Sequence, residues 1–210
     1  MTVAGCFGLL LKEMELESRL VKMGIPIIYT PGMKKRLTRR ALVMLEMALR
    51  QFPELAGKGI TVGYTKAHLG SAVLPRRPTA DPKLTIRLKV RKLTYNTIGH
   101  ELTHLLQGLS RQSALMTRVP AGEKQCDVWT LARSSLFCDD APSYLRLPRA
   151  VREKWPQYAH LVRSLCISAI EKRKSYRFYL RWLEAEIKEI PRRPLRKSRE
   201  IKQLALPLDG

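Results

Sequence analysis

Apolar residues recur along this chain with two periods. Leu37, Ala41, Met44, Leu45, Ala48, Leu49 and Phe52 return every three or four residues, which predicts a helix that starts after Thr30-Pro31 and closes at Pro53. A shorter helix is expected over residues 13–22, stopped by Gly24-Ile25-Pro26. A period of two predicts strands at Ile60–Tyr64 and over 84–90, the latter with Leu84, Ile86, Leu88 and Val90 on one face and Thr85, Arg87 and Lys89 on the other. Between the strands, residues 74–82 carry Pro75, Pro78 and Pro82 and read as a surface loop.

The second half is helical in pattern. Helices are expected over 94–107 and from Pro120-Ala121 to about Phe137, followed by a proline-broken stretch over 139–156. Residues 157–190 hold neither Gly nor Pro, and Leu161, Leu165, Ile170, Tyr179, Leu183, Ile187 and Ile190 keep a helical rhythm, so one long helix or two adjoining helices fill the run. Few strands among many helices predict an α+β fold. The expected division is a domain over 1–170, a helical extension over 171–190 and a flexible basic tail over 191–210.

Composition narrows the setting. The 210 residues include 39 Lys+Arg against 18 Asp+Glu, a formal charge of +21, with an ordinary globular hydrophobic share of 45%. No apolar run approaches the roughly 18 residues of a membrane span. The stretch over 3–11 lacks a basic flank and reads as the start of a buried helix rather than a secretory signal. Cys6, Cys126, Cys138 and Cys166 are scattered, which fits a reducing cytoplasm. So large a positive charge attracts polyanions, nucleic acid foremost. Much of it lies in Lys34, Lys35, Arg36, Arg39 and Arg40, in Arg87, Lys89 and Arg91, and in the tail. The middle cluster fits either an edge strand guarded against pairing or the rim of a substrate groove.

Candidate chemistry sits on the expected 94–107 helix, where His100-Glu101-Leu102-Thr103-His104 has the HExxH spacing. Histidines four residues apart lie about 40° apart around a helix axis, so both imidazoles reach one cation. Glu101 beside them can take a proton from water and later deliver it to a leaving amine. A catalytic zinc wants a third protein ligand. Glu123 and Asp127 share a face of the next helix; one can bind the ion while the other accepts the second ring N–H of a ligand histidine. Cys126 is a softer alternative suited to a closed structural site, and His160 is the only histidine downstream of the motif. His68 reads as a surface histidine and Trp129 as core.

HELTH, 18 intervening residues and EKQCD together resemble the gluzincin pattern HExxH followed by ExxxD, shared by thermolysin-like peptidases and, in spacing, by zinc aminopeptidases. The likeness covers about residues 60–137. It implies a zincin-like domain, with a small sheet, an active-site helix and a glutamate helix, and Zn2+ as cofactor. It also implies His100, His104 and Glu123 as zinc ligands, Glu101 as general base and acid, and Asp127 as the partner of His100. In that family the strand before the active-site helix usually receives the substrate by β-augmentation. The aminopeptidase GxMEN-type motif and the thermolysin sequence around its transition-state histidine are both missing. That leaves the oxyanion stabiliser open among His160, Tyr144, Tyr158, Tyr176 and Tyr179.

The tail supplies Arg192, Arg193, Arg196, Lys197 and Arg199 as nucleic-acid-binding candidates, a sequence-independent interaction that weakens with salt. Tyr176, Tyr179 and Trp182 alternate with Lys172, Arg173, Lys174, Arg177 and Arg181, but their spacing fits a packed stripe and is not read as a stacking platform. The final Gln203-Leu204-Ala205-Leu206-Pro207-Leu208 resembles bacterial sliding-clamp-binding peptides of the QLxLPL type, with Gln203, Leu204, Leu206 and Leu208 as contacts. The expected function is zinc-dependent hydrolysis of peptide bonds, with the basic surface and the final peptide bringing the protease to DNA to act on nucleic-acid-associated proteins. The rivals are a nucleic-acid-binding or regulatory protein whose zinc site is structural or degenerate, and a narrow-specificity processing peptidase.

Overall fold

A computed structural model describes residues 25–73, 83–110 and 119–192. The helix expected over 13–22 and the loop over 74–82 lie outside these residues. So do Arg193, Arg196, Lys197, Arg199, Gln203, Leu204, Leu206 and Leu208.

The element order is β1 (Ile27–Tyr29), α1 (Pro31–Lys34), α2 (Arg39–Leu49), β2 (Ile60–Tyr64), β3 (Gly70–Val73), β4 (Leu84–Leu88), α3 (Tyr95–Ser110), α4 (Glu123–Arg133), α5 (Arg149–Glu153), α6 (Trp155–Lys172) and α7 (Tyr179–Glu189). Short 3-10 turns lie at Pro53–Leu55, Val90–Lys92, Ser135–Cys138 and Ile190–Arg192. Among the described residues the fold is α+β, with seven α-helices and one four-stranded mixed sheet of order β1-β2-β4-β3.

β1, β2 and β4 run parallel, with Ile60 opposite both Ile27 and Leu84, while β3 returns antiparallel and pairs Gly70 with Leu88. The alternation expected for β4 holds: Leu84, Ile86 and Leu88 are buried and Arg87 is exposed. Three expectations are corrected. β4 is an interior strand, so edge protection does not explain Arg87 and Lys89; it also ends at Leu88, and Val90 and Arg91 belong to a 3-10 turn. The helix expected from Pro31 to Phe52 is two helices, because Thr38 takes an extended conformation and its hydroxyl accepts the Ala41 N–H at 3.2 Å, capping α2 afresh.

Two hydrophobic cores meet at α4. The first packs Leu45, Leu49 and Phe52 and the sheet residues Val62, Ile86 and Leu88 against Ile98, Leu102, Leu105 and Leu106 of α3. The second joins Val128 and Leu131 of α4 to Val162 and Cys166 of α6 and to Tyr179, Leu183 and Ile187 of α7. Residue 170 falls within α6, and α7 packs into that same second core. Trp129 is half-buried between the two cores.

Candidate metal centre

The start of α3 is fixed from far along the chain. Thr94 Oγ1 accepts the Thr97 N–H at 3.1 Å, and the Asp139 carboxylate accepts the N–H groups of Tyr95 at 2.7 Å and Asn96 at 2.8 Å. These are donors that a helix start leaves without intrahelical partners. Burial raises the Asp139 carboxyl above its usual range, with the two N–H groups pulling the other way. One turn on, Gly99 lets α4 and the following 3-10 turn approach: a Cβ there would lie 2.7 Å from Phe137 Cδ1 and Thr130 Cγ2. Thr103 Oγ1 donates to Gly99 O at 2.8 Å and meets Thr130 Oγ1 at 2.9 Å, completing the α3–α4 contact.

Gly122, at φ 112°, turns the chain so that α4 opens on Glu123. Glu123 Oε2 lies 2.9 Å from His100 Nε2 and 3.0 Å from His104 Nε2, and the two nitrogens are 3.2 Å apart. Ligand atoms around a tetrahedral zinc are separated by about 3.3 Å given bonds of about 2.0–2.1 Å. The triangle is within a few tenths of an ångström of that spacing. The far nitrogens are held too. His100 Nδ1 stands 2.8 Å from Asp127 Oδ1, and Asp127 Oδ2 accepts the N–H groups of Tyr144 at 2.6 Å and Leu145 at 2.7 Å. His104 Nδ1 stands 3.0 Å from Gln107 Oε1, and the Gln107 amide nitrogen donates to Pro120 O at 2.6 Å and Gly122 O at 3.1 Å. With its nitrogen so engaged, Gln107 presents its oxygen to His104. Both Nδ1 atoms then carry the proton, and both Nε2 lone pairs face the centre.

His100, His104 and Cys126 also form a group that could hold a metal ion, their ligand atoms lying within 4.8 Å of one another. Cys126 Sγ meets His104 at Nδ1, 3.2 Å away, on the side of the ring opposite Glu123. Burial, followed by the charges of Glu123, Asp127 and Glu101, drives its thiol far above the usual range and keeps it protonated.

Glu101, the residue after His100, is buried. Burial pushes its carboxyl up to about 7, the His100 charge opposing and Glu123 assisting. β3 closes over it: a Cβ on Gly70 would lie 2.6 Å from Glu101 Oε1, so only glycine leaves the carboxylate its place. Burial disfavours the charged form of His100, but the bond and charge of Asp127, then Glu101 and Glu123, outweigh it and raise the imidazole above its usual value. Glu123, in turn, is lowered despite partial burial by its bonds and charge contacts with the two histidines.

These groups open into a cleft of about 560 Å3. One wall is Gly70, Ser71 and Ala72 of the edge strand β3 with Leu69 just before it; the other includes Ser143 and Tyr144. Tyr144 stacks on His100, ring centroids 5.4 Å apart and planes at 23°. Of the aromatic donors considered from sequence, Tyr144 lines the cleft, whereas Tyr179 is buried and bonded to Gln125 and His160 lies on α6 beside Cys138. His68 is exposed, as expected of a surface histidine, and lines the cleft. Gln107 and Asp139 were missed; Gln107 follows His104 by three positions, a helical neighbour the pattern offers. Arg192, the one described member of the tail cluster, is paired with Glu189 at 2.8 Å. No helix among the described residues is long and apolar enough to cross a membrane.

Comparison of the chain with protein-family models, curated proteins and solved structures finds no match in any of the three.

Proposed function

We propose that this chain is a zinc-dependent metallopeptidase with a gluzincin-type site. The observation that carries the reading is the triangle of His100 Nε2, His104 Nε2 and Glu123 Oε2, with sides of 2.9, 3.0 and 3.2 Å. Two nitrogens and one carboxylate oxygen are the donor set of a catalytic zinc that keeps a position open. When bound there, the ion supplies Lewis acidity toward a carbonyl oxygen.

The chain's own groups do the rest. β3 is a sheet edge beside the triangle, so its free backbone groups can hold an extended peptide as an added strand. This moves the augmentation site from β4, favoured by the sequence, to β3. Glu101, poised near neutrality, takes a proton from the attacking water and returns it to the leaving amine nitrogen. Asp127 and Gln107 hold the two ligand imidazoles in the tautomer that binding requires. The Tyr144 side chain, in the same cleft, is the candidate donor to the oxyanion. The basic excess and the terminal QLALPL segment support substrates that are proteins associated with DNA, reached in part through a sliding clamp.

The Cys126 contact favours one second reading, a closed structural site in a nucleic-acid-binding or regulatory protein. Activity of wild-type and Glu101→Gln proteins on a library of unstructured peptides separates the two. The peptidase reading expects both to hold zinc and only the wild type to cleave. Equal, background cleavage by two zinc-loaded proteins contradicts it.

A further inference from the structure

The hairpin between α6 and α7 sets exposed aromatics among a cluster of cations. Over residues 171–182 the sequence holds five cations, Lys172, Arg173, Lys174, Arg177 and Arg181, against one acid, Glu171. Glu171 is bonded to Lys174 at 2.7 Å and neutralises one of the five. Two large aromatics in the same segment stay outside the core: Tyr176 is 42% and Phe178 48% exposed, whereas Tyr179 is buried. Of the packed stripe that the spacing suggested, Tyr179 is buried but Tyr176 stays in solvent, as does its neighbour Phe178.

Exposed aromatics stand out here because both are held in place. Tyr176 and Phe178 meet edge to face, centroids 6.1 Å apart. Lys172 Nζ lies 5.7 Å from the Tyr176 centroid and 5.0 Å from that of Trp182, and Arg181 lies 5.1 Å from the Phe178 ring. The turn beneath is fixed by backbone bonds: Tyr176 N donates to Lys172 O, and Arg181 N and Trp182 N both donate to Phe178 O. Each exposed ring thus has a cation beside it.

We propose that this hairpin is a binding surface for single-stranded nucleic acid, with bases stacking on Tyr176 and Phe178 and phosphates meeting Lys172, Arg177 and Arg181. Stacking needs an unpaired base with a free face, and a cation beside the ring then neutralises the adjoining phosphate. A duplex offers the phosphates but not the faces. An anionic membrane would demand a wider apolar face than two rings ringed by cations. The surface lies outside the metal centre and does not depend on the peptidase reading.

Fluorescence anisotropy with the full chain tests it, using oligothymidylate and oligouridylate of about 16 nucleotides, a matching duplex and anionic vesicles. Tyr176→Ala/Phe178→Ala should weaken single-strand binding about tenfold or more at fixed salt while leaving duplex binding unchanged. Lys172→Gln/Arg181→Gln should flatten the slope of log K against log salt by about 1.4, the share of two phosphates on a single strand. Lys34→Gln/Lys35→Gln and Glu101→Gln should retain both the aromatic dependence and its size. Whichever oligomer shows the aromatic loss identifies DNA or RNA as the strand. Single-strand affinity indifferent to the aromatic pair, an equal loss on duplex, or aromatic-dependent binding confined to vesicles would overturn the proposal.

Discussion

Asp127 Oδ1 stands 2.8 Å behind His100 Nδ1, while the other oxygen of the same carboxylate accepts the N–H groups of Tyr144 and Leu145. One buried side chain therefore fixes an imidazole and the loop that forms a wall of the cleft. Asp127→Asn keeps the shape but weakens an acceptor for three donors. Metal affinity should fall 10- to 100-fold and stability by about 1–3 kcal/mol, measured by competition with a chelating dye and by urea unfolding.

Gln107 gives the matching test for His104. Gln107→Leu removes the oxygen that faces Nδ1 and the donor to Pro120 O and Gly122 O. The expected outcome is a 10- to 100-fold loss of metal affinity with unchanged helix content by circular dichroism. Unchanged affinity would mean that Cys126 or solvent orients the ring equally well.

Two glycines should fail in different ways. Gly70→Ala places a methyl against the flexible end of Glu101, which can swing away at small cost to the fold, so metal content should persist while peptidase turnover falls at least tenfold. Gly99→Ala meets the Phe137 ring and Thr130 inside the core, where neither can yield easily. It should destabilise by about 1–3 kcal/mol in thermal or urea unfolding, an overpacking effect.

In metal-free protein the pH dependence has a defined sign. Glu101 is raised from 4.5 to about 7 by burial, so its contribution to stability is fully present below pH 4.5 and is lost as pH rises to about 7. The loss is on the order of 3 kcal/mol. His100, raised above 6.5, adds a loss of the same sign that begins only above pH 6.5. Urea midpoints of chelator-treated protein should therefore fall more steeply between pH 4.5 and 6.5 in the wild type than in Glu101→Gln, where the raised Asp139 carboxyl leaves a smaller loss of the same sign.

Much of the centre was readable because it is local. HELTH and EKQCD each place paired groups on one helix face, and helical geometry alone predicts those pairings. That the two helices meet depends on Gly99, whose role appears only once Thr130 and Phe137 are in contact with it. β1 is three residues long and β3 reads Gly-Ser-Ala-Val, too short and too small in side chain to show an alternation, so the sheet edge beside Glu101 was not legible. The interior place of β4 followed it out of sight, since strand order is a tertiary property. Asp139 caps α3 from 44 residues away, beyond any local capping pattern.

The most direct test of the centre is metal content by mass spectrometry after purification with zinc and dialysis, for wild type, Glu123→Gln and Cys126→Ser. Convergence of His100, His104 and Glu123 predicts one zinc per chain in the wild type and in Cys126→Ser, and a large loss in Glu123→Gln. Zinc retained by Glu123→Gln and lost by Cys126→Ser would contradict it.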